Sequence, residues 1–208
     1  VNKTDLIYEA NGALGGPLVQ DKLWFFTAHR KWGYRNLIAG NFYNKTQGGL
    51  FYTPDTTRQA YIDEKNRTHS LRLTYQASQR NKLNFSYDGQ NTCLCHVGLT
   101  SLLAPEASQA RYYHDPNYLL QAAWTFVLSS KVLIEAGNTT LIFDWPNYRQ
   151  AGAENAISIL EQSNNYRYNA AQISSYGHRV ADQSNQRFSV AYVTGSHAFK
   201  TGMFLQEG

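Results

Sequence analysis

The sequence predicts an all-β fold: an antiparallel up-and-down sheet of about eight long strands, patterned like a segment of a transmembrane β-barrel wall. Three observations predict it. The first is alternation of period two. In LRLTYQASQRNKLNFSYDGQ, residues 71–90, Leu71, Leu73 and Tyr75 alternate with Arg72, Thr74 and Gln76. After a polar turn, Leu83, Phe85 and Tyr87 alternate with Asn84, Ser86 and Asp88. Such spacing puts the apolar set on one face and the polar set on the other. The second is the order of connections, which run short, long, short, long along the chain. The third is composition. Aromatic residues make up 14% of the 208 residues, with 15 tyrosines, while charged residues are only 16%. Soluble domains carry about 25% charge. With a mean hydropathy of −0.50, the chain is polar through amides and hydroxyls rather than through Lys and Glu.

Eight strand runs follow in order, at roughly 6–18, 23–34, 66–77, 82–91, 117–128, 131–143, 184–194 and 197–206. The first and second meet at Gln20-Asp21-Lys22, and the third and fourth at Gln79-Arg80-Asn81. The fifth and sixth meet at Ser129-Ser130, and the last two at Gly195-Ser196. Between these short turns lie connections of about 31, 25 and 40 residues on those boundaries. Loops of that length are uncommon in compact soluble domains. They are ordinary in outer-membrane barrels, which have short periplasmic turns and long outer loops. Runs of 10 to 13 residues also match the 9–11 tilted residues that span a bilayer. The one short helical candidate is AENAISILEQ, 153–162, inside the third long connection.

The faces carry the same reading. Leu120, Ala122, Trp124, Phe126 and Leu128 share one parity, as do Val132, Ile134, Ala136 and Ile142 on the next strand. Aromatics gather near strand ends: Trp24, Phe25, Phe26, Tyr75, Phe126 and Tyr192 by short turns, Tyr34, Tyr87, Tyr118, Phe143 and Trp145 by long loops. Two such belts are the girdle geometry of a membrane barrel. A soluble β-sandwich that binds carbohydrate is the alternative use of the apolar face. No apolar run approaches the length of a transmembrane helix, which leaves a barrel open. The net charge of +4 is scattered, so no nucleic-acid partner is expected. The chain starts at Val1 without a signal peptide and is expected to be a mature or excised piece.

GGPLVQDKLWFF, residues 15–26, resembles the Gly-Gly-Pro-Ile/Leu … Asp-Lys-Leu-Phe/Trp-Phe-Phe segment of TonB-dependent outer-membrane receptors. More narrowly, it is similar to the Oar-like group with a carboxypeptidase-regulatory-like domain. GSHAFKTG (195–202) and HDPNYLLQAAWT (114–125) are similar to further segments of that family. The resemblance implies a slice of a barrel of about 22 strands, residues 1–208 forming part of the wall, with the plug domain and the remaining strands absent. A closed eight-stranded barrel is the competing geometry. The implied setting is the bacterial cell outer membrane. The implied partners are outer-membrane lipid, the receptor's own plug, TonB through that plug, and an extracellular ligand. Siderophore, glycan, peptide and cobalamin all remain open. A structural or adhesive barrel without transport is the alternative.

Candidate chemistry is sparse. No nucleophile triad, phosphate loop or cofactor motif appears, so neither an enzyme nor a bound cofactor is expected. Tyrosine-rich loop segments suit ligand contact by stacking and hydrogen bonding. The candidates are Tyr52, Tyr61, Tyr112, Tyr113, His114, Tyr166, Tyr168 and Tyr176. Parity together with the family architecture places Arg72, Gln76, Asp88, Gln121, Glu135 and Lys200 on the lumen face toward a plug. In CLCH, Cys93, Cys95 and His96 form a partial soft-metal or haem set with spacing too tight for a zinc knuckle. A Cys-x-Cys pair strains to close on itself, so the expected alternatives are partners elsewhere or an inert turn.

Overall fold

The computed structural model describes residues 2–113, 117–172 and 177–208. The long strands are β1 (Lys3–Val19), β2 (Leu23–Asn44), β3 (Pro54–Ser78) and β4 (Asn81–Val97). They continue with β5 (Gln109–Tyr113), β6 (Asn117–Val127) and β7 (Val132–Arg149). After a small hairpin of β8 (Ile159–Glu161) and β9 (Tyr166–Tyr168) come β10 (Gly177–Val180), β11 (Gln183–Thr194) and β12 (His197–Glu207). One antiparallel sheet holds all but the small hairpin. β5 and β6 share the place between β4 and β7, and β10 and β11 both pair with β7. The sheet is therefore an eight-place meander in chain order. β1 and β12 are its two ends and do not pair with each other, so among the described residues it is an open sheet.

All eight predicted strands are present at their predicted places, but four are much longer than their patterns. β2 has 22 residues and β3 has 25. Their long-connection ends carry no clean alternation, because both faces there meet polar surroundings and polar side-chain bonds add to the backbone ladder. The predicted helix at 153–162 is absent. Gly152 has φ +82, Ala156 N–H bonds Ala153 C=O at 3.2 Å, and the chain then enters β8. β-branched Ile157 and Ile159 favour that extended exit.

Local chemistry explains the short turns. Between β1 and β2, Asp21 takes φ +59, a conformation Asp tolerates, and Lys22 N–H bonds Val19 C=O at 3.1 Å. Gly15 lies under the Phe26 ring, and a β-carbon there would sit 2.9 Å from it. Pro17 stands on an edge strand beside a bulge between Pro17 and Val19, where a missing N–H is tolerated. Ser78 Oγ accepts the Arg80 N–H and an amide N–H of Asn81 between β3 and β4. Trp124 Nε1–H donates to Asn81 Oδ1 at 3.0 Å, tying that turn to β6.

The register aligns one apolar face. Leu73 faces Phe25 and Phe85; Leu83 faces Tyr75 and Trp124; Ala136 faces Trp124 and Phe188; Phe188 faces Met203. No second sheet covers it among the described residues. Leu14 is 65% exposed and Met203 61%. The buried apolar residues are mostly alanines, and they gather at the long-connection end. Among the described residues no sandwich core forms. The aromatic belts are corrected by the register. Phe25, Tyr75, Tyr87, Tyr118, Phe126 and Tyr192 stand on the apolar face, but Trp24 and Phe26 pair with Thr74 and Arg72 on the polar one. Tyr34, opposite Glu64, and Phe143, opposite Asn117, do likewise. Adjacent aromatics in a strand cannot share a face.

Gly33 lies beneath the Tyr8 side chain. A β-carbon there would sit 2.4 Å from the Glu64 carbonyl and 2.6 Å from the Tyr8 hydroxyl, whereas one at Gly12 meets nothing within 4 Å. Gly33→Ala is expected to cost about 1–3 kcal/mol by forcing backbone to shift, and Gly12→Ala less than about 0.5 kcal/mol. Denaturant midpoints of the two variants check this; equal midpoints would refute the close-approach reading.

Candidate functional site: a locked loop cap above a polar hollow

Three connections meet at one end of the sheet: 45–53, 98–108 and 150–172. Their hub is polar. Asn41, 1% exposed, donates through Nδ2 to the carbonyls of Thr100 and Leu103, both at 2.7 Å, and accepts the Tyr166 O–H at 3.0 Å. Asn169 accepts Gly48 N–H at 2.7 Å and donates to the carbonyls of Gly49 and Ile157. Its φ of +75 suits Asn better than most side chains. Gln150 donates to Cys95 C=O and Ser108 Oγ. Each residue of this hub bonds backbone of a distant loop or strand, so loops and strand ends are tied into one arrangement.

The apolar part of the cap is small: Ala104, Ala107 and Tyr168, with Tyr52, Leu103, Ile159 and Tyr166 against them. The structure thus brings three predicted ligand tyrosines together. Tyr52 lies 4.8 Å from Tyr166 and 5.7 Å from Tyr168, ring centre to ring centre. Their hydroxyls donate internally: Tyr52 to Phe42 C=O, Tyr168 to Leu50 C=O, Tyr166 to Asn41. These rings fasten loops to one another. Tyr61 lies elsewhere, between the Arg35 guanidinium at 4.5 Å and the His96 ring at 4.7 Å. Tyr112 packs 5.9 Å from Tyr148. Tyr113 ends β5 opposite Thr92. His114 and Tyr176 lie outside the described residues.

The three CLCH side chains are engaged in other bonds. Cys93 and Cys95 are bonded to each other, correcting the expectation that so tight a pair would seek partners elsewhere. Residues i and i+2 of one strand project to the same side, which brings the sulfurs together. Neither cysteine then offers a thiolate. His96 is taken as well: its Nδ1 lies 2.7 Å from Asp63 Oδ1 and its Nε2 3.3 Å from the Tyr43 hydroxyl. Among the described residues no group of three His, Cys, Asp or Glu is arranged to hold a metal ion.

Sequence reading missed two buried acids, because nothing in their neighbourhood alternates. Asp63 is 4% exposed. Burial pushes its carboxyl pKa up, but the hydrogen bond and charge of His96, then Lys65 at 3.3 Å, outweigh this, and the net direction is down. Glu106 is 7% exposed and accepts the Asn44 N–H at 2.8 Å through Oε1. Burial drives its pKa up, against the Asn44 bond and the charges of Arg58 and His96. Burial also raises the phenols of Tyr43 and Tyr166, which stay protonated.

Below the cap, the polar face is hollow. A cavity of about 890 Å³ is lined by residues from β1 to β4 and from β6 and β7, among them Glu64, Asn66, Asp88, Gln90 and Thr92. One hollow reached by strands so far apart in the sheet requires that the polar face be concave. All six predicted lumen residues stand on this face by register. Arg72 faces Ser86; Gln76 faces Lys82; Asp88 faces Leu119; Gln121 faces Thr139. Glu135 faces Ser189, and Lys200 faces Ala191. Lys200 Nζ reaches Glu135 Oε2 at 2.8 Å, and Ser86 Oγ meets Gln121 Oε1 at 3.2 Å. Arg72, Lys82, Gln121 and Arg187 line a second groove of about 410 Å³ on that face.

No family model, characterised protein or solved structure matches this chain.

The two acids pull the cap in opposite directions with pH. Asp63, with a lowered folded pKa, contributes stability that is present above its unfolded pKa and lost as pH falls through the folded one. Glu106, with a raised folded pKa, is protonated in the fold when the unfolded chain has released its proton, so its effect weakens the cap as pH rises through that window. Glu106→Gln is expected to slow amide exchange in 98–108 above that window, and Asp63→Asn to speed it at neutral pH by about 3 kcal/mol of lost pairing. Hydrogen exchange against pH measures both; a Glu106→Gln profile parallel to wild type would refute the buried-acid assignment.

Proposed function

We propose that this chain is part of the barrel wall of a TonB-dependent outer-membrane receptor, which takes up a ligand too large for porins. The observation that carries the reading is the pairing of faces on one uncovered sheet. One face is apolar and exposed from β1 to β12, and the other is concave, polar and hollow. An uncovered apolar face in water is an aggregation hazard; against acyl chains it is the required surface. A shallow recess of about 630 Å³ among Leu23, Leu73, Phe85, Ala122, Trp124 and Ala136 suits acyl chains. In this reading β1 and β12 continue into further strands, since lipid tolerates no open sheet edge.

The mechanism follows from the two compartments. Loops at the capped end meet the extracellular ligand. The polar row of Arg72, Gln76, Asp88, Gln121, Glu135 and Lys200 hydrogen-bonds and ion-pairs with a plug seated in the hollow. TonB pulls on that plug, its contacts with the wall exchange, and the ligand passes. The wall itself does no bond chemistry.

A non-transporting adhesive barrel is favoured by one observation. The locked loops present Leu50 at 69% exposure, Phe51 at 77% and Ile157 at 70%, a rigid apolar tip suited to another surface. Energy-dependent uptake separates the two readings: loss of uptake on deleting TonB supports the receptor, and unchanged surface attachment without any uptake supports adhesion.

The membrane assignment has its own test. Leu73→Arg on the apolar face is expected to cost about 2–4 kcal/mol of folding in a bilayer, as for a cation at lipid depth, and Thr74→Arg on the polar face little. Fractionated cells, blotted with antibody against 49–61, boiled and unboiled, report the result. Wild type should appear in the outer membrane as a heat-shifted band heavier than 23.6 kDa. A soluble band at that mass without a heat shift would overturn the proposal.

A further inference from the structure

The basic residues look scattered along the sequence, but the register gathers several of them on the apolar side of the sheet. Lys31 faces Arg67 across β2 and β3, and His29 faces His69 one row nearer the short turns. Lys65 follows on the far side, opposite Gly33. All of them except Gly33 are exposed. Below them on the same face come Thr27 and Leu71, then Phe25 and Leu73, then Leu23 and Tyr75. The cluster therefore crowns the apolar band at the long-loop end.

Flanking positions leave it open and frame it with tyrosines. Lys31 has Ala10 beside it on β1, and His29 has Gly12. His69 has Gly89 on β4, and Arg67 has Asn91. The Tyr87 ring leans over Gly89 and packs 5.8 Å from Tyr118. On the other flank Tyr8 leans over Gly33. The two histidines are occupied with each other, Nδ1 to Nδ1 at 2.8 Å, and His29 Nε2 meets Thr27 Oγ1 at 3.0 Å. Lys65 is engaged by Asp63. Lys31 and Arg67 have no carboxylate within 4.0 Å among the described residues. The nearby Glu9 is paired with Arg30 on the opposite face.

Depth fits an interface. From Leu23 to Lys31, and from Tyr75 to Arg67, the strand climbs about 26 Å at roughly 3.3 Å per residue. With the tilt of about 40° usual in such walls this is about 20 Å of height, near the top of an apolar band about 25 Å tall. Cations cost little at that level and attract anionic headgroups, while tyrosines prefer it. We propose that Lys31 and Arg67, framed by Tyr8, Tyr87 and Tyr118, bind the phosphate of an anionic lipid in the outer leaflet. The inference rests on the membrane reading above. The Arg67 guanidinium offers a fork to two phosphate oxygens and Lys31 a point charge. His29 and His69 supply a ring wall beneath, at the ester linkage.

The test uses protein extracted from outer membranes, exchanged into neutral detergent and titrated with phosphatidylglycerol against phosphatidylcholine, with bound lipid counted by native mass spectrometry. Lys31→Gln with Arg67→Gln is expected to weaken phosphatidylglycerol binding roughly thirtyfold, two basic residues at about 1 kcal/mol each and 1.4 kcal/mol per decade. Arg30→Gln, next in the chain but on the opposite face, should bind as wild type does. The heat shift of each variant certifies that it is folded. Equal phosphatidylglycerol binding by the double variant would overturn the proposal, and so would displacement of the lipid by inorganic phosphate, which marks a free-anion site. Absence of the wild-type protein from the membrane fraction would instead fail the membrane reading itself.

Discussion

The fold depends first on the two-residue period of a sheet that, among the described residues, has no second sheet packed across it. In an ordinary β-domain a second layer absorbs errors of pattern, because a core buries whatever faces it. Here each strand must place its own apolar side chains on one face and its amides and hydroxyls on the other, and its neighbours must hold the same register. The rows Phe25–Leu73–Phe85 and Trp124–Ala136–Phe188–Met203 show the register carried from strand to strand. A slip of one residue would exchange Leu73 with Arg72 or Thr74 and invert the two faces of the sheet. The three short turns with side-chain or backbone clamps, at Asp21, Ser78 and Ser129, are where that register is fixed.

The same strands obey different physics at their two ends. Near the short turns, stability comes from ladder bonds and an apolar face, and charge is confined to the concave side, as with Glu135 and Lys200. Near the long connections, both faces are polar. Packing there passes to buried Asn41, Asn169 and Glu106 and half-buried Gln150, each hydrogen-bonded to backbone of another segment. A buried amide costs free energy unless its bonds are made, so such a hub has few ways of being assembled. That is why the loops form a locked cap rather than a set of independent tips, with one buried acid, Glu106, in the cap and the other, Asp63, on β3.

What was legible in the sequence follows the same division. Where one face is apolar, alternation marks the strand: Leu71 to Tyr75 and Leu83 to Tyr87 were readable, and the parity of Arg72, Gln121 and Glu135 with them. Where both faces are polar, no periodic signal exists, so β2 and β3 run on past Tyr34 and back beyond Asn66 without announcing it. The tyrosines of the loops were visible as candidates, but composition cannot distinguish a ring that faces a ligand from one that fastens two loops. Tyr52, Tyr166 and Tyr168 turn out to fasten loops through Phe42, Asn41 and Leu50. The pairing of Asp63 with His96 joins residues 33 apart, and no local pattern encodes it.

Charge placement sharpens the division further. Lys31, Arg67 and Lys65 are exposed, yet they stand on the face that elsewhere excludes charge, and all three stand beyond the last apolar row on the long-loop side. On the short-turn side, Lys22 and Lys131 lie in the turns themselves. On β2 and β3 the apolar rows thus end at cations on the long-loop side, and none stands among the rows themselves. In a soluble sheet nothing would fix such limits, because an exposed face can carry a lysine at any height. On the proposed membrane reading, the spacing of Leu23 and Lys31 along one strand is a measure of the apolar band's height.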